Sequence, residues 1–396
     1  MLLLFQNFVF LSEKMENIIK PQIPVFKPLI EESEIAAAVE SLELGWLGMG
    51  SYVKDFEAEL TRVCDFASGE DRHVVAVSTG HAALHLSLLM IGVGSGDEVI
   101  TPSFNNAADF QAIRACGAEP VFVDIKEETL CIDVDKVESL ITDKTKCIIC
   151  MDYDIFLCDH NALRKISKKY NIPILHDAAH SFGSYYKGRP TGNQHEYTMF
   201  SFDPVKTVTC IDGGAVVVKG AENVKRLQAM RLIGMTQSAE QMYTNSRAWT
   251  YDIEGLGFRY HMANLHAAIG LSQISKLDKI RSTRQIACKK YYDELSSITW
   301  LEAPKGDFEE VSPFLYYIRV LNGNRDELRE HMKSQGVDTG IHWQAGHKFT
   351  YFKGCRKGDL DVTEKIVDQI LSLPLHSYMS EKDQNRIIQS IASFRG

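Results

Sequence analysis

A chain of 396 residues with 43 lysines and arginines against 52 aspartates and glutamates carries a net charge of −9. That balance, with no basic block, excludes a nucleic-acid backbone as partner. Apolar content of 45% and charged content of 24% are those of a soluble globular protein, and the length predicts two domains.

The opening "MLLLFQNFVFLSEKMENIIK" lacks the basic n-region and small-residue cleavage site of a signal peptide, and its apolar run is too short to span a bilayer. Met15 reads as the biological start and residues 1–14 as an upstream extension without structure. No later segment is apolar enough to cross a membrane. "EESEIAAAVESLELG" has helical apolar spacing and stops at Gly45; "YVKDFEAELTRVCDFA" is a second amphipathic helix. From "HVVAVSTG" onward, short apolar strands alternate with helices: "HAALHLSLLMIG", "DEVITPSF", "NAADFQAIRACG", "EPVFVDI", "KCIICMDY", "HNALRKISKKY", "IPILHDAAHSF", "YTMFSF" and "GGAVVV". Alternation of this kind predicts an α/β fold with a mostly parallel sheet covered on both faces. From Tyr251 to Leu277 the pattern turns to long helices. A smaller α+β unit follows, with "FLYYIRVL" and the helix "RDELREHMKSQG". The predicted division is a large domain over 15–265 and a smaller one over 266–396.

Nine irregularly spaced cysteines make a poor disulfide framework and point to a reducing cytoplasm. Cys147 and Cys150 have C-x-x-C spacing, but they sit in a buried strand where alternate residues face opposite ways, and no second pair completes a metal site. No metal is therefore expected. "GVGSGD" follows a helix and does not complete the dinucleotide fingerprint.

Three features belong at the carboxyl ends of the strands, where an open parallel sheet collects ligands. "STGHAAL" passes from strand to helix at Gly80, offering free amides to a phosphate, although such turns also serve only to join elements. Asp177 ends a strand, either as a cap or ion-pair partner or as an anion for a ring nitrogen. Lys206 stands in "FSFDPVKTVTCIDGGAVV", either as a loop lysine reaching water or as an amine kept neutral by burial. A phosphate site, an anion for a pyridinium and a lysine for an aldehyde are together the parts required by pyridoxal phosphate.

The blocks "VSTGHAALHLSLLMIGVGSGDEVITPSF", "PVFVDI", "HDAAHSFGSYYKGRPTG", "FSFDPVKTVTCIDGGAVVV", "GFRYHMANLHAAIGLSQISKLD" and "LSLPLH" resemble, in order and spacing, the DegT/DnrJ/StrS sugar aminotransferases, from about Ile23 to the C-terminus. The resemblance implies a fold-type I pyridoxal-phosphate enzyme, a homodimer with active sites at the subunit interface. It implies transfer of an amino group, usually from glutamate, to a keto group of a nucleotide-linked deoxysugar. It makes Lys206 the lysine that condenses with the cofactor and Asp177 the partner of the pyridine nitrogen. His180 matches the position beside the cofactor's phenolic oxygen, and Gly80, His81 and Ser201 match the phosphate cradle. Through "GFRYHM" the neighbouring subunit would reach the phosphate by Arg259 or His261. "TGIHWQAGH" matches a substrate-facing stretch and makes His342 and His347 candidates.

The sequence also departs from the family. His81 replaces the usual Thr. Asn106 stands where an aromatic ring often covers the cofactor, leaving Phe104 or His81 to supply that face. Ile155 and Leu157 replace a Gly and a Pro, predicting a reshaped loop. Related sugar dehydratases carry histidine in place of the lysine, so Lys206 argues against that activity, and a regulatory relative would not need Lys206 and Asp177 together.

Overall fold

The computed structural model describes residues 22–67, 69–236, 241–247 and 249–395; the expected extension over residues 1–14 and the expected start at Met15 lie outside them. Two helices come first, α1 (Glu32–Glu43) and α2 (Ser51–Cys64). The sheet strands are β1 (Arg72–Val77), β2 (Glu98–Pro102), β3 (Glu119–Val123), β4 (Thr145–Met151) and β5 (Ile174–Asp177). A small hairpin, β6 (Tyr185–Tyr186) and β7 (Arg189–Pro190), precedes β8 (Tyr197–Ser201) and β9 (Gly214–Lys219). Seven strands pair in the order β1-β9-β8-β5-β4-β2-β3, and β9 alone runs against the rest. The reversal follows from the connection after β8, which returns directly so that Ser201 pairs with Gly214; Lys206 lies inside it.

Interleaved helices are α3 (Gly80–Ile91), α4 (Ala107–Ala115), the single turn α5 (Val134–Val137), α6 (His160–Tyr170) and α7 (Ala221–Met230). Helix α3 is apolar on nearly every side and is buried accordingly, packed on β8 and β9 and covered by α4 and α7. Its N-terminus therefore opens inside the molecule. Cys147 lies in the core on the α3 face of the sheet, and Cys150 in the core on the α6 face. The two thiols of the C-x-x-C are thus on opposite sides of one strand, and all nine cysteines are free.

Residues 251–263 are not the start of the long helices. They run as irregular chain, with Phe258 and Tyr260 bonded back to Met230, Ser78 and Arg231. Helix α8 (Asn264–Ile274) then packs on α1 and α2, and α9 (Leu277–Leu295) leads into a second core. That core holds an antiparallel sheet of β10 (Leu301–Glu302), β11 (Tyr316–Val320) and β12 (Ile370–Leu373), with α10 (Arg325–Ser334) and α12 (Glu381–Ala392), while α11 (Asp361–Gln369) packs its apolar side on the first core. Ile23 pairs with Val337 and the Val25 carbonyl accepts from the Leu375 amide, so the first described residues belong to this second core. Packing therefore does not follow a single cut near residue 265. Among the described residues no helix is long and apolar enough to cross a membrane.

Candidate active site

Because β1, β2, β4, β5 and β8 run the same way, the segments after them meet at one edge of the sheet, and a cleft of about 570 Å³ opens there. Gly80, His81, Asn106, Asp177, His180, Ser201, Lys206 and His342 all line it. Eight positions scattered over some 260 residues of sequence thus share one cavity, of a size that holds a cofactor and its substrate.

At one end, Thr79 caps α3 by accepting the Ala82 amide at 2.9 Å, and its carbonyl takes the Ala83 amide. The amides of Gly80 and His81 remain, and the helix itself cannot satisfy them. A Cβ on Gly80 would lie 2.7 Å from Ser201 Oγ, and one on Gly214 would lie 2.3 Å from the Thr79 carbonyl oxygen. Glycine at both places lets the turn, Ser201 and the start of β9 close around one small space. Backbone amides, a hydroxyl and the positive end of a helix there are the donors that an anion such as phosphate needs. Burial lowers the pKa of His81, leaving a neutral ring at its edge. Asn106 is the cap of α4, its Oδ1 accepting the Ala108 amide at 2.9 Å. Phe104 is fully buried against Tyr153 and does not line the cleft, so of the two candidates for the missing aromatic face only His81 does.

In the middle stand Asp177 and Lys206. Asp177 ends β5 and its Oδ1 accepts the Ala179 amide at 2.9 Å. Burial raises its pKa, opposed by that amide and by the charge of Lys206. Lys206 Nζ lies over the Phe314 ring at 4.1 Å, and among the described residues no carboxylate is within ion-pair distance of it. Burial lowers its pKa, with Asp177, Asp203 and Asp154 pulling the other way. A buried lysine with a soft aromatic neighbour in place of a salt bridge has its neutral amine form favoured relative to a lysine in water.

The far wall is aromatic. Phe26 stacks on Phe314 at 5.3 Å, His342 meets Phe26 edge-on at 5.4 Å, and Trp343 lies beside His180 at 5.9 Å. His342 Nδ1 is 3.0 Å from Ser372 Oγ, and burial together with Lys206 pushes its pKa down to about 4. Burial, then Lys206 and His342, also hold His180 well below its usual value.

One expected residue, His347, is not brought into the cleft. His347 is engaged on both ring nitrogens, by Ser103 Oγ at 2.8 Å and Glu364 Oε1 at 3.1 Å, and braces its loop. Arg259 is exposed and His261 half-buried outside this chain's cavity, and the expectation for them concerned a neighbouring subunit's site. Conversely, the sequence reading missed Thr79, Phe26, Phe314 and two buried acids. Asp109 lines the cleft from the first turn of α4. Asp154 lies 3.0 Å from His180 Nδ1 at an angle unlike that of a hydrogen bond. Asp154 belongs to the loop with the unusual Ile155, whose side chain is buried in the second core. The loop is closed by paired bonds between Tyr153 and Phe156, and the Tyr153 hydroxyl donates to the His342 carbonyl.

A mostly parallel seven-stranded sheet with a small second α+β unit, a cradle at a buried helix start, an acid at the next strand end and an unpaired buried lysine define a fold-type I pyridoxal-phosphate enzyme. The model of the DegT/DnrJ/EryC1/StrS aminotransferase family matches residues 28–392, and the chain belongs to that family: it is a pyridoxal-phosphate-dependent transaminase. It is similar to the putative sugar aminotransferase Spr1654 of Streptococcus pneumoniae (29% identity, 93% of this chain and 98% of that one, TM-score 0.85), solved in PMP and PLP forms. The aminotransferase TlmJ of Streptoalloteichus hindustanus (28%, 93% and 97%, 0.85) and DesV of S. venezuelae (28%, 94% and 98%, 0.84) are similar to the same degree.

Proposed function

We propose that the enzyme moves an amino group from an amino acid, glutamate foremost, to a keto group of a nucleotide-linked deoxysugar for polysaccharide or glycoconjugate synthesis, as a cytoplasmic homodimer. The observation that carries this reading is Lys206, buried and unpaired in one cleft with Asp177 and the cradle at Gly80 and Ser201. Pyridoxal phosphate, when bound, supplies an aldehyde to receive the amine and an electron-poor ring to acidify the donor's Cα–H. Gly80, His81 and Ser201 would hold its phosphate, Asp177 its ring nitrogen, and His180 would lie beside its phenolic oxygen. Lys206, as the free amine, would take the proton from the donor's Cα onto Nζ and deliver it to the cofactor carbon that carries the amine, and would move a proton the opposite way when the amino group passes to the sugar.

The aromatic wall of Phe26, Phe314 and Trp343 suits the C–H face of a deoxysugar ring. Lys206 is the one lysine or arginine lining the cleft among the described residues, so the phosphates lack a cation from this chain. An exposed Arg259 answers that lack if a second copy presents it. Exposed apolar side chains support such a partner: Ile35, Val39 and Leu42 on one stripe of α1, then Leu44 and Leu47, with Trp249 (85% exposed) nearby. Asn245 bonded to the Ser51 amide and Arg247 over Trp46 tie these segments together.

The test is to incubate the purified, cofactor-loaded protein with glutamate and a panel of UDP-, GDP-, CDP- and dTDP-linked ketosugars, read by mass spectrometry. An amino sugar from at least one is expected. Glutamate consumption with transfer only to free ketosugars would remove the nucleotide from the reading.

A further inference from the structure

Asp109 is wholly buried at the start of α4, and its Oδ2 accepts from Asn105 Nδ2 at 2.6 Å. Its Oδ1 has no donor. Asp177 lines the same cleft, and after burial its charge is the largest influence raising the Asp109 pKa. Two carboxylates that interact so cannot both be ionised away from water, and a hydrogen bond between them requires a proton. The groups facing the pair decide who carries it. Asp177 has the Ala179 amide, with Lys206 and His176 adding positive potential. Asp109 has the neutral Asn105 amide, with Lys206 the least of the influences on it.

We propose that Asp109 is a positioning residue for the cofactor's ring nitrogen: it stays protonated and donates a hydrogen bond to Asp177, so the nitrogen meets one half of an acid–carboxylate pair. This rests on the role given to Asp177 above. The bonded acid fixes the Asp177 carboxylate in one orientation and draws off part of its charge, making it a weaker base toward the ring nitrogen than a lone carboxylate. It also keeps the net charge of the pair at one, whereas an ionised Asp109 would add a second negative charge beside the ring.

Infrared difference spectroscopy of the cofactor-free protein at pH 7 tests the proton directly. Wild type is expected to show the carbonyl stretch of a neutral carboxylic acid that Asp109→Asn lacks; any band from the buried Asp154 cancels in the difference. In Asp177→Asn the same band should titrate at lower pH, since its charged neighbour has gone. Asp109→Asn keeps a donor toward Asp177. With bound pyridoxal 5'-phosphate its absorption at neutral pH should therefore match wild type, while Asp109→Ala shifts it. At alkaline pH wild type should show a spectral step that Asp109→Asn does not. Identical infrared spectra for wild type and Asp109→Asn, or an Asp109→Ala spectrum indistinguishable from wild type, would overturn the proposal. The infrared readout needs neither cofactor nor substrate, so its failure is distinct from a failure of the aminotransferase reading.

Discussion

Three buried acids near the ligand edge of the sheet titrate in opposite directions, Asp152 one way and Asp154 and Asp109 the other. Asp152 accepts from His176 Nε2 at 2.6 Å, Ser181 Oγ at 2.7 Å and the Cys158 amide at 2.9 Å, with His160 Nε2 at 3.2 Å. Burial alone would raise its pKa, but His176 and His160 hold it well below the carboxylate range. His195 extends the network through His160 at 3.0 Å. Asp154, two residues on, has neither carboxylate oxygen hydrogen-bonded, and burial pushes its pKa well up; burial and then Asp177 do the same to Asp109. Burial is equal in the three cases. The supply of donors decides the charge. In the histidine network the Asp152 carboxylate is fully engaged, while His160 Nε2 and His176 Nδ1 carry no hydrogen bond. The region around Lys206 is left short of partners, as a site that must receive a cofactor would be.

That contrast predicts that the two regions fail differently. Lys206→Ala should lower transamination by at least about 10²–10⁴-fold, yet leave the cofactor-free melting temperature unchanged or raised, because an unpaired buried amine has been removed. Kinetics and calorimetry on one preparation check both halves. A melting temperature that drops sharply would put Lys206 on the structural side.

Asp152→Asn should do the reverse. Removing the charge from a buried, histidine-bonded carboxylate costs about 3–5 kcal/mol, read by urea unfolding. The pH dependence has a definite sign. Near and below pH ~4, where an unfolded Asp takes up its proton, folded Asp152 stays ionised, so the folded state binds fewer protons. Wild-type stability should therefore fall as pH drops through that range, and this component should vanish in Asp152→Asn.

Gly80→Ala should cost about 1–3 kcal/mol, since its Cβ would press on Ser201 Oγ, and should weaken binding of pyridoxal phosphate. Equilibrium dialysis measures the second effect, and unchanged affinity would place the phosphate elsewhere. The smallest change is expected from His347→Gln, about 0.5–1.5 kcal/mol of stability for a lost hydrogen bond, with KM for the sugar unaltered. A raised KM would return His347 to the substrate side, where the sequence had put it.

The order of strands and helices was legible because apolar runs of strand length alternate with helical periods, and a chain of that pattern has few ways to bury itself. Gly80, Asp177, Ser201 and Lys206 were legible for a related reason: each closes or follows a strand, and strand ends converge. Asp109 was not, because an acid in the first turn of a helix is ordinary in sequence; only the approach of β5 makes it a neighbour of Asp177. Phe26 and Phe314 are distant from every motif, and ordinary core aromatics by composition. They reach the cleft because the chain's first segment and the second sheet fold back over Lys206.

By itself the sequence determined the alternating α/β order, the strand-end lysine and aspartate, and the glycines that admit a cradle, since these depend on local propensity and on period. Only the tertiary structure decided the reversed β9, the exclusion of His347, the aromatic wall and the charge on each buried acid. Those properties depend on which donors and rings arrive from elsewhere in the chain, and a carboxyl group's proton is held or released by neighbours that no local spacing records.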